Sequence, residues 1–160
     1  PKTDTAKLLV AQTVSQLRAA SAALAALRNE MQSLAASLPE YPVVMGMFDV
    51  GPALGSQLMA EIGDVRRFHS KKALVAFAGI DAPLYQSGQI DVRSRSISKR
   101  GFSPLRRTLF LVMSTILRCS PSDEPVYQFM DRKRTEGKLY RVYMMASANK
   151  FPRIYYATVK

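Results

Sequence analysis

From residue 4 to residue 38 the chain carries neither glycine nor proline. A stretch that long without a breaker reads as one continuous helix. Val10, Leu17, Leu24, Met31 and Leu38 recur every seven residues, and Ala6, Thr13, Ala20, Leu27 and Leu34 fill the second seam. That is an a/d pattern sustained over about five heptads. An amphipathic helix packed on its own domain also gives apolar spacing of this kind. The strict seven-residue period and the many alanines favour a coiled coil, either between chains or as a hairpin with another helix. Its leucines would otherwise face water, so a homo-oligomer held through residues 1–38 is expected. The charges here nearly cancel, with Lys2, Lys7, Arg18 and Arg28 against Asp4, Glu30 and Glu40.

The basic surplus therefore lies downstream. Over the whole chain 23 Lys and Arg oppose 12 Asp and Glu, a net +11. An excess that large on 160 residues calls for a polyanionic partner, with DNA or RNA ahead of a membrane surface. The length gives room for one compact domain plus an appendage, and 48% hydrophobic residues exclude a wholly disordered chain. No apolar run approaches the ~18 residues of a membrane span. One cysteine, Cys119, and one histidine, His69, are too few for a disulfide or a structural zinc site, so no metal or other cofactor is expected in this chain. A cytoplasmic or nucleoid location is the default for such cysteine usage. The N-terminus lacks a signal-peptide pattern. A start at Pro1 rather than at methionine makes the chain an expected piece of something longer.

The expected fold is mainly α: the coiled-coil helix over 1–38, a linker at 39–42 between Pro39 and Pro42, and a helical domain over 43–160. Residues 43–48 read as a short helix and Asp49-Val50-Gly51-Pro52 as a turn. A second helix follows, with Pro52 at its first position and Gly63 as its stop. This is the outline of a helix-hairpin-helix, whose second helix offers N–H groups near Gly51 to a phosphate. A plain αα-hairpin has the same outline, and Asp49 would repel phosphate. Ser70 is a good N-cap for a helix over 71–78, and His69 beside it reads as a solvated loop residue.

Residues 79–101 break helical periodicity. They set Arg93, Arg95, Lys99 and Arg100 among Ser87, Ser94, Ser96 and Ser98. Hydroxyls interleaved with guanidinium groups can donate many hydrogen bonds to phosphate oxygens, although a solvated surface loop has the same composition. A helix resumes at Ser103, with Leu105, Leu109, Val112 and Ile116 at core spacing. Arg106 and Arg107 fall near its N-terminus, where the dipole disfavours cations, and a phosphate partner would offset that cost. Helices are expected over 126–136 and 139–150. The aromatic residues of this end, Tyr127 to Tyr156, read as core ahead of a base-stacking platform.

Several of these segments run in a recognisable order. Val50-Gly51-Pro52 is followed by Ala60-Glu61-Ile62-Gly63-Asp64, Arg67-Phe68 and Ala76-Phe77-Ala78-Gly79. Tyr85-Gln86-Ser87-Gly88, Ile97-Ser98-Lys99-Arg100-Gly101 and Leu105-Arg106-Arg107 complete the series. Over residues 43–157 the chain resembles the C-terminal transposase domain of insertion-sequence enzymes related to the Piv-type DNA invertases. Those enzymes pair an N-terminal RuvC-like domain, which carries acidic metal ligands, with a helical domain carrying a serine nucleophile, and members are guided by a bridge RNA. The resemblance implies Ser87 as the nucleophile and the segment Ser98–Arg107 beside the scissile phosphates. It also implies DNA and a guide RNA as partners, and Mg²⁺ in the full-length enzyme. Asp49 departs from the pattern, and no RuvC-like domain is present in this chain, so the chain alone is not expected to cut DNA.

Serine needs a base, or positive charge, to become a nucleophile; no His or carboxylate adjoins Ser87 in the sequence, but arginines and Lys99 follow closely. Attack on a phosphodiester would leave a phosphoserine link that conserves the bond for rejoining. A non-catalytic helix-hairpin-helix DNA-binding module is the main alternative. A tyrosine recombinase using Tyr155 or Tyr156 is the other.

Overall fold

The glycine-free stretch is helical from Asp4 to Ala36 (α1), a rod of about 50 Å at 1.5 Å per residue. After it come α2 (Tyr41–Met45), α3 (Pro52–Ile62), α4 (Lys71–Ala78), a short pairing of β1 (Gln86–Ser87) with β2 (Ile90–Asp91), α5 (Ser103–Cys119), α6 (Pro125–Thr135) and α7 (Tyr140–Val159). The computed structural model describes residues 3–47, 50–82, 86–87, 90–91 and 96–160, with backbone alone at 86–87 and 90–91. Asp49, Gly88, Arg93 and Arg95, singled out above, lie outside the described residues.

The mainly helical class is as expected. Along α1 only Ala35 is buried, and Met31 and Gln32 are half-buried where the last turns lie on α3. The rest of the seam faces solvent, with Leu17 66% and Leu27 69% exposed. Met31, one residue of the heptad pattern, is therefore drawn towards the chain's own domain.

The core gathers around α5, which packs on α3, α4, α6 and α7. Leu105, Leu109, Val112 and Ile116 are all inaccessible, as their spacing predicts, and Met113 joins them. Local signals at helix ends also hold. Ser70 Oγ accepts the Ala73 N–H at 3.2 Å, and Gly63 and Gly79 end their helices at positive φ. α2 begins at Tyr41 rather than at residue 43, because Pro42 fits a first helical turn, whose N–H groups need no partner. At the α2–α3 crossing, Gly55 lies so close to the Met45 side chain that a Cβ there would overlap its Cε.

Two further expectations need correction. The segment 79–101 is not wholly irregular: Gln86 pairs with Asp91 and Ser87 with Ile90 in an antiparallel ladder. The last helix does not stop near residue 150 but runs on through Pro152. Proline inside a helix forfeits a hydrogen bond and crowds the preceding turn. Here Phe151 (1% exposed), Tyr155 (2%) and Tyr156 (8%) are buried on either side, and that packing outweighs the local cost. The aromatic residues at this end are thus mostly core. No helix among the described residues is long and apolar enough to cross a membrane.

Candidate nucleic-acid interface

The cationic loop before α5 is held chiefly by backbone hydrogen bonds. The Ser98 N–H donates to the Asp81 carbonyl (2.8 Å), the Lys99 N–H to Gly79 (3.0 Å) and the Phe102 N–H to Phe77 (2.6 Å). Three bonds within five residues lace the loop to the end of α4. The lacing requires two glycines. A Cβ on Gly101 would stand 2.2 Å from the Phe77 carbonyl oxygen and 2.3 Å from the Gly79 nitrogen. Gly79, in the left-handed region at φ 66°, has no room for one either.

This stitching decides what the predicted residues do. The Ser98 hydroxyl donates to Asp81 Oδ1, and its oxygen also lies 3.5 Å from the Arg100 N–H, so Ser98 is tied into the loop. Lys99 (φ 56°) and Arg100 are exposed, so the fixed backbone presents both cations to solvent. Arg106 turns the other way: half-buried, its Nη1 donates to the Ala78 carbonyl at 3.2 Å. That carbonyl belongs to the last turn of α4, where a cation is favourable. The cost of a cation at the start of α5 is thus offset within the protein, and Arg106 needs no phosphate to explain it. Arg107 is exposed and lines a pocket of about 450 Å³ with Arg28, Gln57, Glu61, Ser103 and Leu111.

Gly51 stands apart from this group. It is the exposed N-cap of α3, with nothing within 4 Å of where a Cβ would sit. Glu61 in the pocket is about 15 Å further along that helix at 1.5 Å per residue. The backbone of Ser87 lies on β1, opposite Ile90.

Several contributors escaped the sequence reading. Gln57 Nε2 donates to Glu61 Oε1 and lies 2.9 Å from Thr108 Oγ1, and the Thr108 hydroxyl donates to the same Glu61 oxygen at 3.0 Å. This polar cluster joins α3 to α5 beside Arg107. Arg67 stands 4.7 Å from both the Phe68 and Phe77 rings, and Phe77 stacks on Phe102 at 5.5 Å. Phe102, 39% exposed, thus adds a half-open ring next to Arg100 and Gly101. Only the Ala-Phe-Ala-Gly and Gly-Phe groupings hinted at this column. Among the described residues, no three His, Cys, Asp or Glu side chains gather as metal ligands would.

Neither tyrosine of the alternative reading is placed for chemistry. Burial, reinforced by the negative charge of Glu40, pushes the Tyr155 phenol well above its ordinary range. The Tyr156 hydroxyl donates to the Phe68 carbonyl at 3.0 Å and accepts from Lys160 at 2.9 Å.

Residues 41–128 match the family model described as "Transposase IS116/IS110/IS902 family". The matched span runs from α2 into α6 and contains both the stitched loop and Ser87. Among curated proteins, the chain is 30% identical over 122 residues to the "Insertion element IS900 uncharacterized 42 kDa protein" of Mycobacterium paratuberculosis. That alignment covers 74% of this chain and 29% of the relative, so the chain spans less than a third of the relative's length. The family match covers more than half of the chain, and the chain belongs to the IS116/IS110/IS902 transposase family.

Proposed function

We propose that this chain is the serine-bearing part of a DNA transposase that breaks and rejoins strands through a phosphoserine link at Ser87. The observation that carries the reading is the stitched loop: inside the family-matched span, a backbone fixed to α4 presents Lys99 and Arg100 in the same inter-helix segment as Ser87. Cations held in advance can bind a phosphodiester without reorganising.

In the proposed step the Ser87 hydroxyl oxygen bonds to the scissile phosphorus, and the bond from phosphorus to the leaving sugar oxygen breaks. The hydroxyl proton passes to a base or to solvent, and the departing oxygen takes up a proton. A free strand end then attacks the phosphoserine and releases the serine, so no high-energy cofactor is consumed. Lys99 and Arg100 hold the phosphate and offset its charge. On the strength of the resemblance alone, the ligands for Mg²⁺ are assigned to a RuvC-like domain of the full-length enzyme. A guide RNA is a proposed partner on the strength of the resemblance alone. The exposed seam of α1 supports homo-oligomerisation through that helix.

The exposed, uncrowded N-terminus of α3 at Gly51 supports a second reading, that of a purely DNA-binding helical hairpin. One experiment separates the two. In the full-length enzyme with Mg²⁺ and guide, a nicked substrate that traps the intermediate should give a covalent protein–DNA band. Ser87→Ala should abolish the band while leaving DNA affinity within about twofold, since one hydroxyl contributes little to binding. An undiminished band from Ser87→Ala overturns the serine assignment. Lost affinity with no band from either protein favours the binding module.

A further inference from the structure

The far end of the molecule has a surface that the reading above does not use. α6 and α7 are joined by a tight turn in which Gly137 adopts φ 74° and the Lys138 N–H donates to the Lys133 carbonyl at 3.2 Å. Beyond this turn three apolar side chains project into solvent: Leu139 is 76% exposed, Tyr140 48% and Val142 51%. The surrounding residues are cationic, with Arg132, Arg134, Lys138 and Arg141 all exposed. Two acids temper them, Glu136 held by Lys133 at 2.7 Å and Asp131 held by Arg134 at 2.7 Å. Lys138 and Arg141 make no ion pair with any described residue.

The Tyr140 ring is not loose. It meets the buried Tyr143 ring edge to face, with centroids 5.4 Å apart and planes at 82°. One part of the ring is thereby anchored to the core while the remainder stays open. A rigid aromatic and a leucine at the tip of a helical hairpin, flanked by unpaired cations, have the chemistry of a side chain that enters nucleic acid. Apolar groups wedge between or stack on unpaired bases, and Lys and Arg hold the flanking phosphates. An acidic protein surface would satisfy the cations but leave the apolar tip wet. A lipid surface suits both, but the transposase family favours nucleic acid.

We infer that the α6–α7 tip is a second nucleic-acid contact, specific for unstacked or distorted sites, in which Tyr140 and Leu139 engage bases and Lys138 and Arg141 engage phosphates. It lies outside the matched residues 41–128 and depends neither on Ser87 nor on the loop before α5.

The test uses the 160-residue chain with two fluorescent probes, a perfect duplex and the same duplex with a short unpaired bulge. The parent should prefer the bulged probe. Tyr140→Ala and Leu139→Ser should each weaken bulge binding by about tenfold while changing the perfect duplex by less than about twofold. Lys138→Glu with Arg141→Glu should weaken both probes. Helical circular dichroism should be unchanged, since all four side chains are exposed. Lys99→Glu with Arg100→Glu should weaken both probes without removing the bulge preference, which keeps this site distinct from the loop. Equal binding of both probes by the parent and all tip variants overturns the inference. So does a fall in oligomeric mass by light scattering with binding unchanged, which would make the tip a contact between copies. Binding of the parent to phosphatidylglycerol vesicles, lost in the tip variants while both DNA probes bind as before, overturns it in favour of a membrane.

Discussion

The two longest helices were made by opposite means. α1 is 33 residues of alanine-rich sequence with good local propensity, and almost none of it is buried. α7 is 20 residues interrupted by Pro152, yet Tyr143, Met144, Phe151, Tyr155 and Tyr156 all lie in the core. α7 is helical because tertiary packing overrides a local penalty. α1 is helical because nothing local opposes it, and its leucines lie exposed along most of its length. Substitutions should therefore act on stability in α7 and on assembly in α1.

The largest effect is expected from Phe151→Ala. Phe151 is 1% exposed and stacks on Tyr155 with centroids 6.4 Å apart. Emptying such a site costs about 3–5 kcal/mol, enough to unfold much of the domain at 37 °C, and urea unfolding followed by circular dichroism reads it directly. A loss under 1 kcal/mol would mean that α7 is not held by its packing.

Gly101→Ala should come next. Its Cβ must displace the backbone of Phe77 and Gly79, and overpacking of that kind costs about 1–3 kcal/mol. Hydrogen exchange should show the Lys99 and Phe102 amides losing protection before those of α5. If both stay protected, the stitching at Gly79 is softer than the close contacts require.

A smaller loss is expected on raising the pH. The Tyr155 phenol is kept protonated in the fold by burial, so its folded pKa lies above the unfolded value of about 10. Stability should be intact below pH 10 and fall as the pH rises beyond it, because the unfolded chain releases that proton first. Tyr155→Phe should flatten the alkaline limb of a plot of melting temperature against pH. An unchanged limb would show that another group controls it.

The smallest change in stability should follow Leu17→Glu with Leu24→Glu in α1. Both sites are exposed, so the melting of the domain should shift by only about 0.5 kcal/mol or less. Light scattering should nevertheless show a fall in oligomeric mass. A parent already monomeric would leave the α1 seam without the partner proposed for it.

What could be read in advance was local. The breaker-free run, the Ser70 cap, the Gly63 stop and the α5 core spacing are each local signals, and each appears as expected. What could not be read was long-range. Arg106 bonds a carbonyl 28 residues away, the Gly79–Gly101 contact joins two backbones, and the Gln57–Glu61–Thr108 cluster spans two helices. Spacing carries no signal for such contacts. The candidate site shows the same division, since its cations were visible in the composition of the loop while the backbone that presents them was not. The end of α7 belongs with the long-range features, since burial of Phe151, Tyr155 and Tyr156 carries the helix through Pro152 and past residue 150.

Mapping the covalent adduct tests the phosphoserine account most directly. Trypsin cuts after Lys72 and Arg93, and the peptide between them contains one serine, Ser87, and one tyrosine, Tyr85. The trapped full-length enzyme should give a nucleotide-bearing peptide spanning residues 73–93, with fragmentation placing the added mass on Ser87. An adduct on Tyr85, or on the peptide carrying Tyr155 and Tyr156, would contradict the account.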